Sequence, residues 1–282
     1  MQDNNPLAIF QRKPQPLLKL PSNGRWWAPS SLENNSIIEV LSMTGRDEFM
    51  LLNANPILLN SVLVELIQRC IPAVKDAWQM PKVDMDAAII AIRIASYGNM
   101  MKTVHQCPNC KADNIIDVDL HDMIDNITLP DFDQPIYIND DIAFYVKPTT
   151  MKDSETKALS QTRRLALLAE ITKQDINQEE QAKLINDNLW QLTDDAVKMM
   201  SYNIDRVIAK GAVVSDPQFI QQWIMDADRE SYDKINRGIN DKLDEYKMPR
   251  YSTECSACGT NFQAEIEFLP NEFLSSEQNQ GS

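Results

Sequence analysis

The chain has 282 residues, 43% of them hydrophobic and 24% charged, a composition typical of a globular protein with a buried core rather than a disordered one. Its 41 acidic and 27 basic residues give a formal net charge of −14, which disfavours sequence-independent binding to nucleic acid because such binding needs a basic face. Polar and charged residues interrupt every apolar stretch before it could span a bilayer, and the N-terminus lacks a signal-peptide pattern. We therefore expect a protein made inside the cell, with neither a membrane nor a nucleic acid as its partner.

The common catalytic motifs are missing from the sequence. Seven glycines are too few and too scattered for a phosphate-binding loop of the dinucleotide or P-loop type. The two histidines, His105 and His121, do not have the spacing of a metalloprotease pair, and no G-x-S-x-G nucleophile turn can be found. The sequence therefore predicts a protein that is not an enzyme and has no small-molecule substrate.

Residues 1–35 predict an extended N-terminal arm. Prolines at five positions prevent regular structure there, namely Pro6, Pro14, Pro16, Pro21 and Pro29. Two large aromatic residues, Trp26 and Trp27, follow a turn signal in this arm. Because a free tail would not keep two tryptophans in water, we expect the arm to dock, and both its own body and a partner protein are possible docking surfaces.

Residues 36–150 have the pattern of an α/β core. Strands are predicted at Ser36–Met43, Asn114–Leu120, Pro135–Ile138 and Ala143–Pro148. Helices are predicted from the Thr44–Glu48 turn to Leu52, over Pro56–Ala73, and from Asp84 as N-cap to Gly98. The last of these helices has isoleucine on several faces and is expected to be buried on most sides.

Residues 151–246 change in character, since glycine nearly disappears and Gln, Lys, Glu, Asp, Leu and Ala recur with helical spacing. The pattern predicts an all-helical insertion with helices at about 152–173, 178–191, 193–209, 216–225 and 228–245. Residues 247–282 then return to extended structure and are expected to complete the core.

Four of the five cysteines form two C-x-x-C pairs, Cys107 with Cys110 and Cys255 with Cys258. Shifting the first pair by 148 residues (255 − 107) places it on the second and aligns Asp117–Leu120 with Glu265–Phe268, both acid–apolar–acid–apolar. The sequence therefore contains two similar units, each with a cysteine turn followed by a strand. Two such turns can complete a closed tetrahedral site of four thiolates, the structural form of zinc binding.

Other interpretations of these cysteines and of nearby residues are weaker. Two disulfides are not expected in a chain made in the cytosol, and a thioredoxin-like centre needs only one C-x-x-C at a strand-to-helix junction. His105 could lie near the metal, and the acidic residues around His121 could hold a divalent cation, but a surface histidine and a helix N-cap are the simpler interpretations. Cys70 is most simply a small core residue.

Several segments, in this order along the chain, resemble the baseplate proteins of T4-like contractile-tailed phages, including their hub-assembly members. The resembling segments are Leu20–Gly24, Ile38–Val40, Met43–Glu48, Ala91–Asn99, Cys107–Cys110 and Asp117–Leu120, with the second cysteine pair and Phe268–Leu274 at the C-terminal end. The region 150–245 offers little to compare, and the pair Trp26-Trp27 stands where a single aromatic residue is expected.

This resemblance implies a non-enzymatic role in building a phage tail baseplate, in contact with other hub or wedge proteins, first in the host cytoplasm and then in the virion. Together with the residue patterns it predicts an α+β protein whose mixed core is completed by a split four-cysteine zinc ribbon and carries the helical insertion. Three alternatives stay open at this point: a retained virion subunit, a transient assembly chaperone, and a zinc-ribbon module that binds nucleic acid.

Overall fold

The computed structural model describes residues 12, 14–33, 38–55, 59–173, 183, 194–266 and 273–274. Its contacts divide the chain into two compact units, and the first combines Met1–Leu129 with Lys247–Ser282 while the second is Pro130–Tyr246. Both helices and strands are present, so the fold is mixed α/β. Within the described part of the chain, no helix has the length and apolarity needed to span a membrane.

The first unit is built around one buried helix. Its first elements are β1 (Gln15–Leu18), β2 (Ile38–Val40), α1 (Gly45–Leu52), α2 (Leu59–Cys70) and α3 (Lys82–Tyr97). Every residue of α3 from Val83 to Ile94 is buried, and the helix contacts β1, β2 and α2. The antiparallel pair of β1 and β2 brings the N-terminal arm onto this core, where Leu18 and Leu20 are fully covered. The predicted burial of this helix on most sides is confirmed.

Three charged residues are buried in α3, namely Asp84, Asp86 and Arg93, and the first and last of them hold another segment. Asp84 lies in the first turn, while the cap position is taken by Pro81, so the predicted N-cap role of Asp84 is wrong. Its carboxylate instead accepts hydrogen bonds from Ser22 in the N-terminal arm. Arg93 donates a hydrogen bond of 2.5 Å to the backbone oxygen of Phe273 and also lies over the Phe273 ring. Buried charges are tolerated where such partners exist.

Two β-hairpins complete the first unit. One consists of β3 (Met100–Gln106) and β4 (Asp113–Asp119), which leads directly into α4 (Leu120–Asp125), and the other consists of β9 (Arg250–Glu254) and β10 (Asn261–Glu265). Thr128 and Lys247 form an isolated antiparallel bridge. The chain therefore leaves the first unit and returns to it at neighbouring points, and the second unit is an insertion.

The second unit contains an antiparallel sheet in the order β5-β6-β7-β8. Its elements are β5 (Ile136–Asn139), β6 (Ile142–Val146), α5 (Met151–Lys173), helical residues 194–202 (α6), β7 (Ile204–Ala209), β8 (Ala212–Val214), α7 (Pro217–Met225) and α8 (Arg229–Leu243). Phe144 of β6 is fully buried, with the ring of Trp223 from α7 at 6.4 Å and α8 close by.

The expectation of an all-helical insertion is wrong. Residues 204–214, most of them inside a predicted helix at 193–209, form the β7–β8 hairpin. Their β-branched side chains favour a strand, and Lys210 and Gly211 adopt the positive φ values of +50° and +83° that a two-residue hairpin turn needs. Strands β5 and β6, expected in the 36–150 core, belong to the second unit, which begins at Pro130.

The other predicted elements are mostly present. Helices α1, α3, α5, α7 and α8 lie within one to four residues of the predicted bounds where the structure describes them, and β4 matches the predicted strand after the first cysteine pair. The predicted helix at 56–73 is seen from Leu59 to Cys70. The predicted helix at 178–191 lies outside the described residues, except for Lys183.

Replacing Gly238 by alanine should destabilise the second unit although alanine favours helices. A Cβ added at Gly238 of α8 would lie 2.8 Å from Cγ2 of Ile136 and 3.2 Å from the Phe144 ring. Such overpacking costs about 1–3 kcal/mol, against a helix-propensity gain of about 1 kcal/mol. Urea unfolding followed by circular dichroism should show a lower midpoint for Gly238→Ala, whereas Arg237→Ala on the exposed side of α8 should leave it unchanged.

Candidate metal centre

The two cysteine turns have the same backbone structure. In the first, the Lys111 N–H donates to the Cys107 carbonyl and the Cys107 N–H donates to the Ala112 carbonyl, both at 2.9 Å. In the second, Gly259 and Cys255 make the equivalent bonds, to the Cys255 and Thr260 carbonyls and also at 2.9 Å. The residue after the second cysteine has a positive φ in both turns, +62° at Lys111 and +70° at Gly259.

The strand registers extend this repeat beyond the turns. Gln106 pairs with Asp113 across the first hairpin, and Glu254 pairs with Asn261 across the second, each shifted by 148 residues. The predicted unit of a cysteine turn followed by a strand is therefore present twice. Each turn also has a strand before it, so each C-x-x-C pair forms the end of a β-hairpin.

The four cysteine sulfurs form one compact cluster. All four Sγ atoms of Cys107, Cys110, Cys255 and Cys258 lie within 4.8 Å of one another. The closest pairs cross between the turns, with Cys107 Sγ at 3.7 Å from Cys258 Sγ and Cys110 Sγ at 3.6 Å from Cys255 Sγ. Four sulfurs around a tetrahedral ion with bonds of about 2.3 Å would be roughly 3.8 Å apart. The cluster therefore fits a single metal ion without large movement.

Burial and hydrogen bonding differ among the four thiols. Cys107 and Cys255 are buried, while Cys110 and Cys258 are exposed at the outer side of the cluster. Hydrogen bonds with the side chain and backbone of Thr260 lower the pKa of Cys258 to about 6. At Cys110 a hydrogen bond with the Ala112 backbone lowers the pKa, but the other three cysteine sulfurs and burial outweigh it and raise the pKa to about 12. A metal ligand has to be the thiolate form of cysteine, so the surroundings of Cys258 suit a metal site, while Cys110 would lose its proton to the metal on binding.

Asn114 connects the two hairpins beside the sulfur cluster. This side chain is 5% exposed, and its Oδ1 accepts hydrogen bonds from the Ser256 backbone N–H at 2.9 Å and from the Ser256 hydroxyl at 3.2 Å. Its Nδ2 donates to the Ala112 carbonyl at 2.9 Å and points at Cys255 Sγ at 3.6 Å. Asn114 thus orients Cys255 of the cluster in the way that outer-shell groups orient ligands in metal proteins.

Sequence reasoning missed Asn114. The only available signal was an asparagine at the start of a predicted strand, a position that disfavours this residue type. The 148-residue repeat gives no further help, because Phe262 occupies the equivalent position in the second hairpin. Asn109 was missed as well, and its side-chain amide donates to the Thr260 hydroxyl at 3.2 Å, which adds a second link between the turns.

The remaining sequence candidates lie apart from the sulfur cluster. Within the described residues the four cysteines are the one group that could hold a metal ion, and neither His105 nor the acidic residues around His121 belong to it. The His105 ring is 3.0 Å from the Thr103 hydroxyl, and Asp119 accepts the His121 N–H as the N-cap of α4. Cys70 is buried in the core, where burial raises the pKa of its thiol to about 11.

Trp26 and Trp27 also lie outside the cluster, in the turn of the N-terminal arm. The indole N–H of Trp27 donates to Oδ2 of Asp84 at 2.7 Å. Trp26 is half-buried, and the guanidinium carbon of Arg25 lies 4.5 Å from the centre of a Trp26 ring. Trp27 is therefore bonded to the protein's own core.

Residues 15–274 match the family described as T4 bacteriophage base plate protein. The chain belongs to this family. The match confirms the resemblance seen in the sequence, and it covers both hairpins and the insertion between them. No curated protein and no solved structure matches the chain. Membership gives this T4 baseplate family protein a structural role in the virion tail baseplate, in contact with other baseplate proteins.

Replacing Asn114 by alanine should weaken metal binding at the cysteine cluster. The change removes the bridge to Ser256 and the donor near Cys255, and loss of an outer-shell partner lowers metal affinity by about 10- to 100-fold. Competition with a chelator of known affinity measures the effect. Asn126→Ala, which removes an exposed amide bonded within α4, is the matched control and should leave the affinity unchanged. Equal affinities for both variants would contradict the role given to Asn114.

Proposed function

We propose that the protein is a structural component of the hub or wedge of a contractile phage tail baseplate, which acts through protein–protein contacts and is held together by one structural zinc ion. The family match supports the baseplate role. The cluster of Cys107, Cys110, Cys255 and Cys258 is the observation that supports the zinc. In this proposal the chain has no catalytic function and binds no small-molecule substrate, nucleic acid or membrane.

The donor set favours zinc over other uses of the four cysteines. Four thiolates around a tetrahedral position are typical of structural zinc, and a catalytic zinc keeps one position open. Each hairpin offers only two sulfurs, so the ion would join segments that are far apart in the sequence. Its binding free energy would then contribute directly to the folding of the first unit.

Purified protein should contain one zinc ion per chain, and the double variant Cys255→Ser with Cys258→Ser should contain none. Two thiols of the remaining hairpin cannot close the site, so the double variant should also have a lower Tm. Elemental analysis with a thiol titration measures the zinc content, and thermal unfolding followed by circular dichroism measures Tm. Cys70→Ala is the control, since it removes a cysteine outside the cluster and should keep the zinc. Unmutated protein without zinc and with four reactive thiols in the cluster would contradict the proposal.

A zinc ribbon that binds nucleic acid is the main alternative of a different class. Such a module needs basic and aromatic residues near the cysteine turns. The strands after the two turns carry Asp117, Asp119 and Glu265 instead, and the ion pair of Arg250 with Glu265 neutralises one of the nearby cations. The charge of the hairpins thus favours contacts with proteins.

A second alternative is that the protein is present only during baseplate assembly. A chaperone of baseplate assembly would contact the same proteins in the host cytoplasm and leave before the virion is complete. The hub and wedge positions differ in their partners, and the candidate partner-binding residues of the arm, Trp26 and Trp27, suit either position. The proposed protein is made in the host cytoplasm and then stays in the baseplate.

Quantitative mass spectrometry of gradient-purified virions should detect this chain at a fixed ratio to the other baseplate proteins. Assembly intermediates from infected cells, analysed in parallel, serve as the comparison. Presence in the intermediates together with absence from the virions would show a transient chaperone instead of a retained subunit.

A further inference from the structure

The four-stranded sheet of the second unit packs helices α7 and α8 against one of its faces. The Phe144 ring of β6 lies beside the Trp223 ring of α7, and a Cβ added at Gly238 of α8 would contact both Phe144 and Ile136. Ile136 and Phe144 are cross-strand partners, so their side chains lie on the same side of the sheet. Alternate residues of each strand therefore point to the other side, which we call the outer face.

The outer face carries a row of apolar residues that runs from one edge of the sheet to the other. The pairing of β5 with β6 places Tyr137 opposite Ala143, and β7 and β8 continue the row with Ile208 and then Val213. Tyr137 is 68% exposed and Val213 is 62% exposed, while Ile208 is half-buried and Ala143 is buried. The sheet therefore presents a large apolar side chain to solvent at each end of this row.

Such a row is not expected on the solvated side of an antiparallel sheet. Sheets of this kind alternate apolar residues toward the core with polar residues toward water. Aromatic and β-branched residues favour strands, but threonine provides the same preference together with a hydroxyl group. The preference for a strand therefore does not require an apolar residue at every position of the row. Exposed apolar surface that continues across several strands is typical of a site where another molecule binds.

The next row of the outer face adds an aromatic residue and an arginine. Tyr145 of β6 pairs with Arg206 of β7, and the guanidinium carbon of Arg206 lies 3.9 Å from the centre of the Tyr145 ring. Asp205 forms an ion pair with the same guanidinium, so the charge of Arg206 is balanced within the protein. Tyrosine and arginine are frequent at the energetic centres of protein interfaces. This stacked pair therefore extends the apolar row with surface that is already ordered before a partner binds.

Acidic residues outnumber basic ones in the strands and turns of this sheet. Residues 130–147 and 203–216 contain six aspartates and three basic residues, which gives these segments a net charge of −3 (3 − 6). Two of the three basic side chains form ion pairs within these segments, namely Arg206 with Asp205 and Lys210 with Asp141. The apolar row therefore lies in acidic surroundings, which are complementary to a partner surface with basic residues.

We propose that the outer face of the sheet binds another baseplate protein, which presents an apolar surface bordered by basic residues. Tyr137, Ile208 and Val213 are the contact residues in this proposal. The inference rests on the proposed baseplate function and adds the surface and the chemistry of the partner. A second copy of this chain fits less well, because the two copies would bring together the same acidic surroundings and each has a net charge of −14.

The test measures pairwise binding between the full chain and each baseplate protein of the same phage, purified singly. The double variant Tyr137→Thr with Val213→Thr removes the two exposed apolar side chains and keeps residues that favour strands. It should bind one basic partner more weakly by roughly tenfold or more. Phe219→Gln is the matched control, because it removes a 64% exposed ring from α7, which packs on the opposite face, and should leave binding unchanged.

A charge variant tests the chemistry assigned to the partner. Asp140→Lys reverses a charge at the exposed turn between β5 and β6 and should weaken binding to the same partner. Asp226→Lys is its control, because it makes the same charge change at the exposed C-cap of α7 and should have a smaller effect. Binding of the unmutated chain should also fall as the salt concentration rises.

The outcomes distinguish this inference from the proposed function. Loss of partner binding in the double variant, with Phe219→Gln unaffected and the Tm of both variants unchanged, supports the inference. Partner binding that the double variant retains overturns it and leaves the baseplate role intact. A large loss of Tm in the double variant overturns it as well, because the two side chains would then be covered within the protein.

Two further results would overturn the choice of partner. Binding that neither salt nor Asp140→Lys weakens would contradict the basic character of the partner surface. Self-association of the unmutated chain that the double variant abolishes would assign the outer face to a second copy. Binding of the unmutated chain to no baseplate protein would reject the proposed function and this inference together.

Discussion

The contact between the two cysteine turns is the constraint on which the first unit depends. Cys110 and Cys255 are separated by 144 residues (255 − 110 − 1), yet their sulfurs lie 3.6 Å apart. The entropy lost on closing a loop grows only slowly with its length, and much of this loop folds as a unit of its own. The bridge between Thr128 and Lys247 already brings the ends of that unit together. Asn114 and Asn109 then bond one hairpin to the other beside the four thiols.

Helix α3 also joins segments that are far apart in the sequence, because it is bonded to segments near both ends of the chain. Its buried charged residues include Asp84 near its start and Arg93 near its end, and these two are bonded to segments outside the central core. Asp84 accepts three hydrogen bonds from the N-terminal loop, residues 19–27, and Arg93 donates to the carbonyl of Phe273. A buried charge is costly unless it is paired, so each terminal segment is needed to stabilise the helix to which it is attached. The first unit therefore includes both ends of the family match.

How much of the fold and of the cysteine site could be predicted depends on how far apart in the sequence the interacting residues lie. The C-x-x-C spacing, the cysteine turn with its following strand that recurs after 148 residues, and the helical spacing of α3, α5, α7 and α8 are patterns within short segments, and the sequence predicted them. Whether residues 204–214 form a helix or a hairpin depends on pairing with β6, which a local pattern does not contain, although Lys210-Gly211 was a usable turn signal. Asn114 and Asp84 could not be assigned, because their partners Ser256 and Ser22 are 142 and 62 residues away in sequence.

The carboxylate of Asp84 also fixes the conformation of the N-terminal loop from a distant position in the sequence. It bonds Ser22 and Trp27, the two residues that bracket the positive φ values of Asn23, Gly24 and Trp26. A large residue adopts such a φ only where its surroundings enforce it, so the conformation of the loop depends on the buried carboxylate of α3.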